Sequence, residues 1–290
     1  MQLIHYSKQI NLFDHWSPEY QDTFDVDWII EKLMNDPTLT VYTQRHPAPS
    51  GYIEEKEEWV KAMLTLRPAG HHDEFLFRAI DNWCARKNSA KSQTVVANLP
   101  ISTHHDCGTK LITWQGDITT LHADAIVNAA NSQMQGCFQP FHACIDNAIH
   151  TAAGPRLRED CHTIIQLQGE DEMTGTAKIT RGYNLPSRFV LHTVGPIIHQ
   201  GAPLTNGDRQ ALADCYTSCL DLALQHGDIE SVAFCAISTG VFGFPKEEAA
   251  KIAINTVKVW LSRNTHNIKQ VIFNTFDEHT TQLYQRGLAA

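Results

Sequence analysis

Residues 136–147 read GCFQPFHACIDN and bring Cys137, His142 and Cys144 within eight positions. Two thiols and an imidazole are the donor set that suits zinc. Positions two apart cannot point the same way on a continuous helix, and Pro140 disfavours a helix here. The three side chains can therefore converge only from a folded loop. Three protein ligands would leave one coordination position open, as in catalytic rather than structural zinc sites. The spacing C-x4-H-x-C is not that of a zinc finger. Cys161-His162 downstream offers a fourth ligand that would close the site instead. From spacing alone, a metal loop and three unrelated loop residues both stand.

Other short stretches carry polar groups where an apolar run ends. Ile237-Ser238-Thr239-Gly240-Val241-Phe242-Gly243-Phe244-Pro245 follows a strand-like run and precedes a helical one. Its glycines and small hydroxyls let backbone N–H groups approach an anion, and the following helix N-terminus adds positive potential. It matches neither the Walker A pattern nor GxGxxG, so an anion cradle and a plain tight turn both fit. Gly116-Asp117-Ile118-Thr119 ends another run. There the aspartate either meets an adenine or ribose or caps its own turn. Asp124-Ala125-Ile126-Val127-Asn128-Ala129-Ala130-Asn131 is a buried-type strand closing on asparagines.

The elements that must hold these stretches fall into two textures. In the first ninety-odd residues the pattern is helical. SPEYQDTFDVDWIIEKLMNDP opens on Ser17 as a cap with Pro18 at the first helical position, and stops at Asp36-Pro37. GYIEEKEEWVKAMLTLRP and DEFLFRAIDNWCARKN read as two further helices. Four of the six tryptophans lie here (Trp16, Trp28, Trp59, Trp83), so this region has apolar surface to bury. NSAKSQTVVANLPISTHHDCGTK reads as a connector. Beyond it KLITWQGDI, DAIVNAA, AKITRGYNL, RFVLHTVGP, SVAFCAIS and QVIFNTF are strand-like. They alternate with helical CIDNAIHTAAG, RLREDCHTIIQL, DRQALADCYTSCLDLALQHG, KEEAAKIAINTVKVWLSRN and EHTTQLYQRGL. That alternation predicts an α/β sandwich on a largely parallel sheet, with ligands at the carboxyl ends of its strands.

Composition limits the function further. A net charge of −9 argues against a protein that grips a nucleic-acid backbone. The opening MQLIHYSKQINLFDHW lacks the apolar run and cleavage site of a signal peptide, and no stretch reaches a membrane span. Most of the eight cysteines sit in apolar runs, Cys215 and Cys219 among them as core residues. We therefore expect a cytoplasmic protein with reduced thiols and neither nucleic-acid nor membrane partners.

Taken together, GDIT (116–119), IVNAAN (126–131), IDNAIHTAAG (145–154), GTAKITRGYNLP (175–186), VLHTVGP (190–196) and STGVFGFP (238–245) resemble the macrodomain family in order and spacing, over roughly residues 100–290. The resemblance implies a three-layer α/β/α sandwich with a mixed sheet that binds ADP-ribose. Hydrolytic members usually follow the second asparagine with a glycine run and an aspartate opening the next helix. Here GCFQPFHAC replaces that run, which resembles the zinc-dependent branch of protein-ADP-ribose hydrolases. Members of that branch also carry an N-terminal helical extension. The expected division is thus a helical extension over residues 1–95 and a macrodomain over 96–290.

The resemblance implies roles residue by residue. Cys137, His142 and Cys144 would hold a catalytic Zn2+. Asp117 would contact adenine beside the backbone of Ile118, and Asn131 would orient the distal ribose. Ser238, Thr239, Gly240, Val241, Phe242 and Gly243 would form the pyrophosphate loop. Phe276 is either an adenine-stacking aromatic or a core phenylalanine. Asp146 matches the catalytic-loop aspartate, while His150 either faces the same way or packs inward. The implied activity is release of mono-ADP-ribose from an Asp- or Glu-modified protein, with a lipoyl-carrier protein of the glycine-cleavage type as one candidate partner. The alternatives are a module that binds ADP-ribose without cleaving it and an O-acetyl-ADP-ribose deacetylase.

Overall fold

The structure, a computed structural model, describes residues 1–18 and 25–290. After a short 3-10 turn at Leu3–His5, the described residues form helices α1 (Val26–Met34), α2 (Thr40–Arg45), α3 (Ile53–Leu66) and α4 (Glu74–Ser89). The short strands β1 (Thr94–Val95) and β2 (Thr103–His104) follow. The expected start at Ser17-Pro18 is not that of a helix: α1 begins at Val26, capped by Asp25, whose side chain accepts from the Trp28 N–H at 2.9 Å. Ser17 and Pro18 are non-helical, and positions 19–24 of that expected helix lie outside the described residues. The supposed connector supplies both short strands, β1 and β2.

The remaining strands are β3 (Lys110–Gln115), β4 (Leu121–His122), β5 (Ala125–Ala130), β6 (Ala177–Arg181), β7 (Phe189–Val194), β8 (Ser231–Phe234) and β9 (Gln270–Thr275). Seven form one sheet in the order β2-β3-β9-β8-β5-β7-β6, with β1 and β4 paired separately. Neighbours from β3 to β7 run parallel, while the edges β2 and β6 are antiparallel, so the sheet is mixed as expected. Helices α5 (Ile145–Ala153), α6 (Pro155–Gln168), α7 (Asn206–His226), α8 (Lys246–Arg263) and α9 (Glu278–Ala289) complete the fold. Successive residues of a strand point to opposite faces. His192 of β7 meets Cys161 of α6, whereas Thr193 meets Cys215 of α7, so α6 and α7 cover opposite faces. Cys215 and Cys219 are wholly buried core residues.

The expected extension divides its packing between two cores. α1, α3 and α4 bury Ile29, Leu33, Trp59, Met63, Ile80 and Trp83 among themselves. They dock on the sheet domain through polar contacts. Arg156 of α6 pairs with Glu74 and Asp81 of α4, and the Asn88 amide donates to Ala152 O at 2.9 Å and Asn184 O at 2.8 Å. The first dozen residues instead bury Leu3, Tyr6, Ile10 and Leu12 in the main core. Their placement solves an edge problem, since an outer strand leaves N–H groups unpaired. The Ile179 N–H of edge strand β6 donates to the Tyr6 hydroxyl oxygen at 3.0 Å. Tyr6→Phe should leave that buried donor unpaired and cost about 1–3 kcal/mol in a urea titration. An unchanged midpoint would show that the edge does not need this cap.

Candidate active site

The carboxyl ends of the parallel strands open into a cleft of about 1120 Å³. Its floor is laid by the loop after β5. In that loop φ is positive at Met134 (58°), Gly136 (81°) and Phe141 (62°), so the backbone folds back on itself instead of continuing into helix. Met134 anchors the loop by burying its side chain with Ala130, Cys161 and Ile165. Gly136 is required by more than its φ: a Cβ there would lie 2.9 Å from the His150 ring.

Folded in this way, the loop brings Cys137, His142 and Cys144 together on the cleft wall, with their donor atoms within 4.8 Å of one another. Cys137 Sγ is 3.5 Å from His142 Nδ1. Cys144 caps α5, its sulfur accepting from the Asn147 N–H at 3.4 Å, and the Asn147 amide holds His142 O at 3.0 Å. Burial pushes the Cys144 thiol up to about 11, and the nearby Cys137 adds to that rise. A cation would reverse both effects. The donor types, their convergence and their access to the cleft fit a borderline-soft metal ion. Cys161 is not the fourth ligand: it is wholly buried and sits with His150 and His192.

That second group also has metal-binding donor types, but its hydrogen bonds serve another end. The Thr180 hydroxyl donates to Arg181 O, so it accepts from His192 Nε2–H at 2.9 Å. The Asn128 amide donates to His192 Nδ1 at 3.2 Å and to Asp146 Oδ1 at 2.8 Å. Both imidazole nitrogens of His192 are thus engaged, and Asn128 is held between His192 and the carboxylate. Asn128 and His192 are register partners, which is why they share a face. His150 Nε2 stands 3.5 Å from Asp146 Oδ1, and burial holds His150 neutral.

Asp146 is buried in the first turn of α5, with Asn131 Nδ2 3.4 Å from its second oxygen. Burial raises its carboxyl to about 6, against the Asn128 amide and the Arg158 charge. Arg158 is the least expected member of the site. Buried on α6, it donates to Gln135 O at 2.8 Å, to Leu64 O at 2.9 Å and to Arg67 O, and its guanidinium lies 4.7 Å over Phe138. One side chain therefore joins the metal-type loop to the end of α3. Lys61, Thr65 and Lys87 of the extension line the same cleft.

Most of the other expected positions line the same cleft. Asp117 Oδ1 is engaged by the Thr119 N–H and hydroxyl, while Oδ2 faces Lys91 Nζ at 3.5 Å. Ile118 is buried beside it. Ser238, Thr239, Gly240, Val241 and Phe242 line the cleft, and the buried Ser238 Oγ has no hydrogen-bond partner among the described residues. Gly243 departs from expectation. It lies off the cleft wall and closes the turn at φ 70°, where a Cβ would stand 2.8 Å from Ile198 O. Phe276 is 85 % exposed on the rim and is not a core residue.

A family model described as Macro domain matches residues 127–253. A protein-ADP-ribose hydrolase of Treponema medium is 48% identical over 233 residues, covering 80% of this chain and 87% of that protein. The Oceanobacillus iheyensis macrodomain solved with ADP is 38% identical at a TM-score of 0.57, covering 64% of this chain and 93% of that one. The Trypanosoma brucei macrodomain in complex with ADP-ribose is 31% identical at a TM-score of 0.57, covering 71% and 85%.

Arg158→Lys keeps the charge but cannot reach three carbonyls at once. The expected loss is about 2 kcal/mol of stability, with faster amide exchange across residues 135–143. Unchanged exchange in that loop would refute the clamp.

Proposed function

The chain belongs to the macrodomain family and is a hydrolase, and from that premise we propose that it releases mono-ADP-ribose from acyl-linked Asp or Glu side chains of modified proteins, with Zn2+ held by Cys137, His142 and Cys144. The observation that carries the proposal is the convergence of those three donors beside Asn131 and Asp146 on one wall of the cleft. The relative from Treponema medium is named a protein-ADP-ribose hydrolase, which supports the substrate class.

Each part of an ADP-ribose has a counterpart in the cleft. Asp117 Oδ2, which faces Lys91 Nζ at 3.5 Å, keeps a lone pair to accept from the adenine amino group, and the exposed Phe276 ring can stack on the base. The turn from Ser238 to Phe242 offers backbone N–H groups to the pyrophosphate, with Ser238 Oγ as a further donor. Asn131 is placed to hold the distal ribose. Asp146, fixed by the Asn128 amide, orients a ribose hydroxyl or the attacking water. Zinc in the loop would supply a Lewis acid for an oxygen of the distal ribose or of the scissile bond. Lys61, Thr65 and Lys87 line the same cleft, and we place the modified segment of a protein against them. We assign α3 and α4 of the extension over residues 1–95 to contact with that segment, and residues 96–290 to the catalytic domain. A lipoyl-carrier protein is the candidate substrate in a cytoplasmic setting.

The test combines metal content with turnover of an Asp- or Glu-linked substrate, before and after chelation. About one zinc per chain, with activity lost on chelation and restored by zinc, is the expected result. Cys144→Ala should abolish turnover while the protein still binds ADP-ribose. Metal-free protein with full activity would remove zinc from the proposal. Turnover of O-acetyl-ADP-ribose but not of modified protein would replace the substrate.

A further inference from the structure

A second group of nucleophilic and basic side chains lies where β3 and β9 begin, six residues down each strand from the cleft, or roughly 20 Å at the usual rise. The turn joining β2 to β3 closes through His105 N–H to Thr109 O at 2.8 Å and Gly108 N–H to His105 O at 2.8 Å. It presents Cys107, which alone of the eight cysteines is exposed. The Cys107 sulfur is 3.0 Å from His105 Nδ1, 3.2 Å from Thr109 Oγ1 and 3.7 Å from His266 Nε2.

The surrounding hydrogen bonds decide where the protons sit. The Ser262 hydroxyl donates to Lys258 O at 3.0 Å, so it accepts from His105 Nε2–H at 3.1 Å. His105 therefore turns the lone pair of Nδ1 to the thiol, and the Cys107 N–H at 3.3 Å reinforces that tautomer. The Ile268 N–H donates to His266 Nδ1 at 3.2 Å, so neutral His266 carries its proton on Nε2, facing the sulfur. Thr109 spends its own proton on Ile268 O at 2.8 Å. The sulfur thus has one base to take its proton and one N–H donor to steady the anion. This is a nucleophile with an adjacent base, itself oriented by a third group. A metal ion would need the Nε2 lone pair of His266, which this tautomer withholds.

We propose that Cys107 is a nucleophilic thiol that undergoes exchange with low-molecular-weight disulfides. His105 Nδ1 takes the thiol proton, and the thiolate attacks one sulfur of the disulfide. The new S–S bond forms as the old one breaks, and the departing thiolate recovers the proton from His105. The exchange needs no further oxidant. The adduct stands on the turn, away from the cleft.

The experiment exposes the purified protein to glutathione disulfide and follows each cysteine by peptide mass mapping over time. His105→Asn should slow mixed-disulfide formation at Cys107 about tenfold or more, since it removes the base. Rates at Cys137 and Cys144 in the same sample should stay as in the unmodified sequence. His266→Ala should slow Cys107 by a smaller factor. These positions are at the surface, and an unchanged melting curve confirms the fold. Equal Cys107 rates with and without His105 overturn the proposal. Protection of Cys107 by zinc alone, in the Cys144→Ala background, also overturns it and makes the turn a metal site.

Discussion

A carboxylate buried to the degree of Asp146 has to be held by donors, because an unpaired buried charge costs several kcal/mol. Much of this face of the molecule follows from that need. Asn128 supplies the shortest bond, and it can do so only because β5 and β7 pair in the register that sets it beside His192. Arg158 supplies a compensating charge without bonding the carboxylate, and its own N–H groups must then find acceptors. They find them in the loop before Cys137 and at the end of α3. Sheet register, loop shape and the docking of the extension thus all bear on one oxygen pair.

The metal-type loop shows the same economy. Its three donors span too few residues for a helix to align them, so positive φ at Met134, Gly136 and Phe141 does the work of turning the chain. Such conformations cost free energy unless their surroundings impose them. Met134 in its apolar pocket, the His150 ring against Gly136 and the Asn147 amide on His142 O supply that imposition. The loop's shape is therefore fixed by contacts within the chain.

What could be read from the residues and what could not separate along a physical line. Strands such as IVNAA and helices such as KEEAAKIAINTVKVW announce themselves because their periodicity is local. Cys137, His142 and Cys144 were legible for the same reason: a short stretch carried all three types. The Ser17-Pro18 start failed because a capping pattern states only that a helix can begin; both residues are non-helical, and α1 takes its cap from Asp25. Tyr6 meets Ile179 across 173 positions, and Arg158 reaches Leu64 across 94. No window of sequence holds both partners of such contacts. Asn128 was seen as a strand-end amide, but its duty to Asp146 depends on a β7 residue, His192. The Cys161 alternative failed because its place on α6 turns it inward, beneath the sheet.

The extension is the part whose purpose was least legible, and its packing now constrains it. Apolar helices that only shielded a sheet face would dock through apolar contacts. Here the apolar residues of α1, α3 and α4 form a core of their own, and the junction is made by Arg156, Asn88 and Arg158 with carboxylates and carbonyls. Polar junctions of this kind fix orientation more than they add stability, because desolvation offsets much of their attraction. A fixed orientation matters only if something depends on it. The dependents here are the side chains of Lys61, Thr65 and Lys87 on the cleft wall and the carbonyls that hold Arg158 against the loop. The extension is thus built as part of the site's frame, and the loop's geometry is shared between two cores.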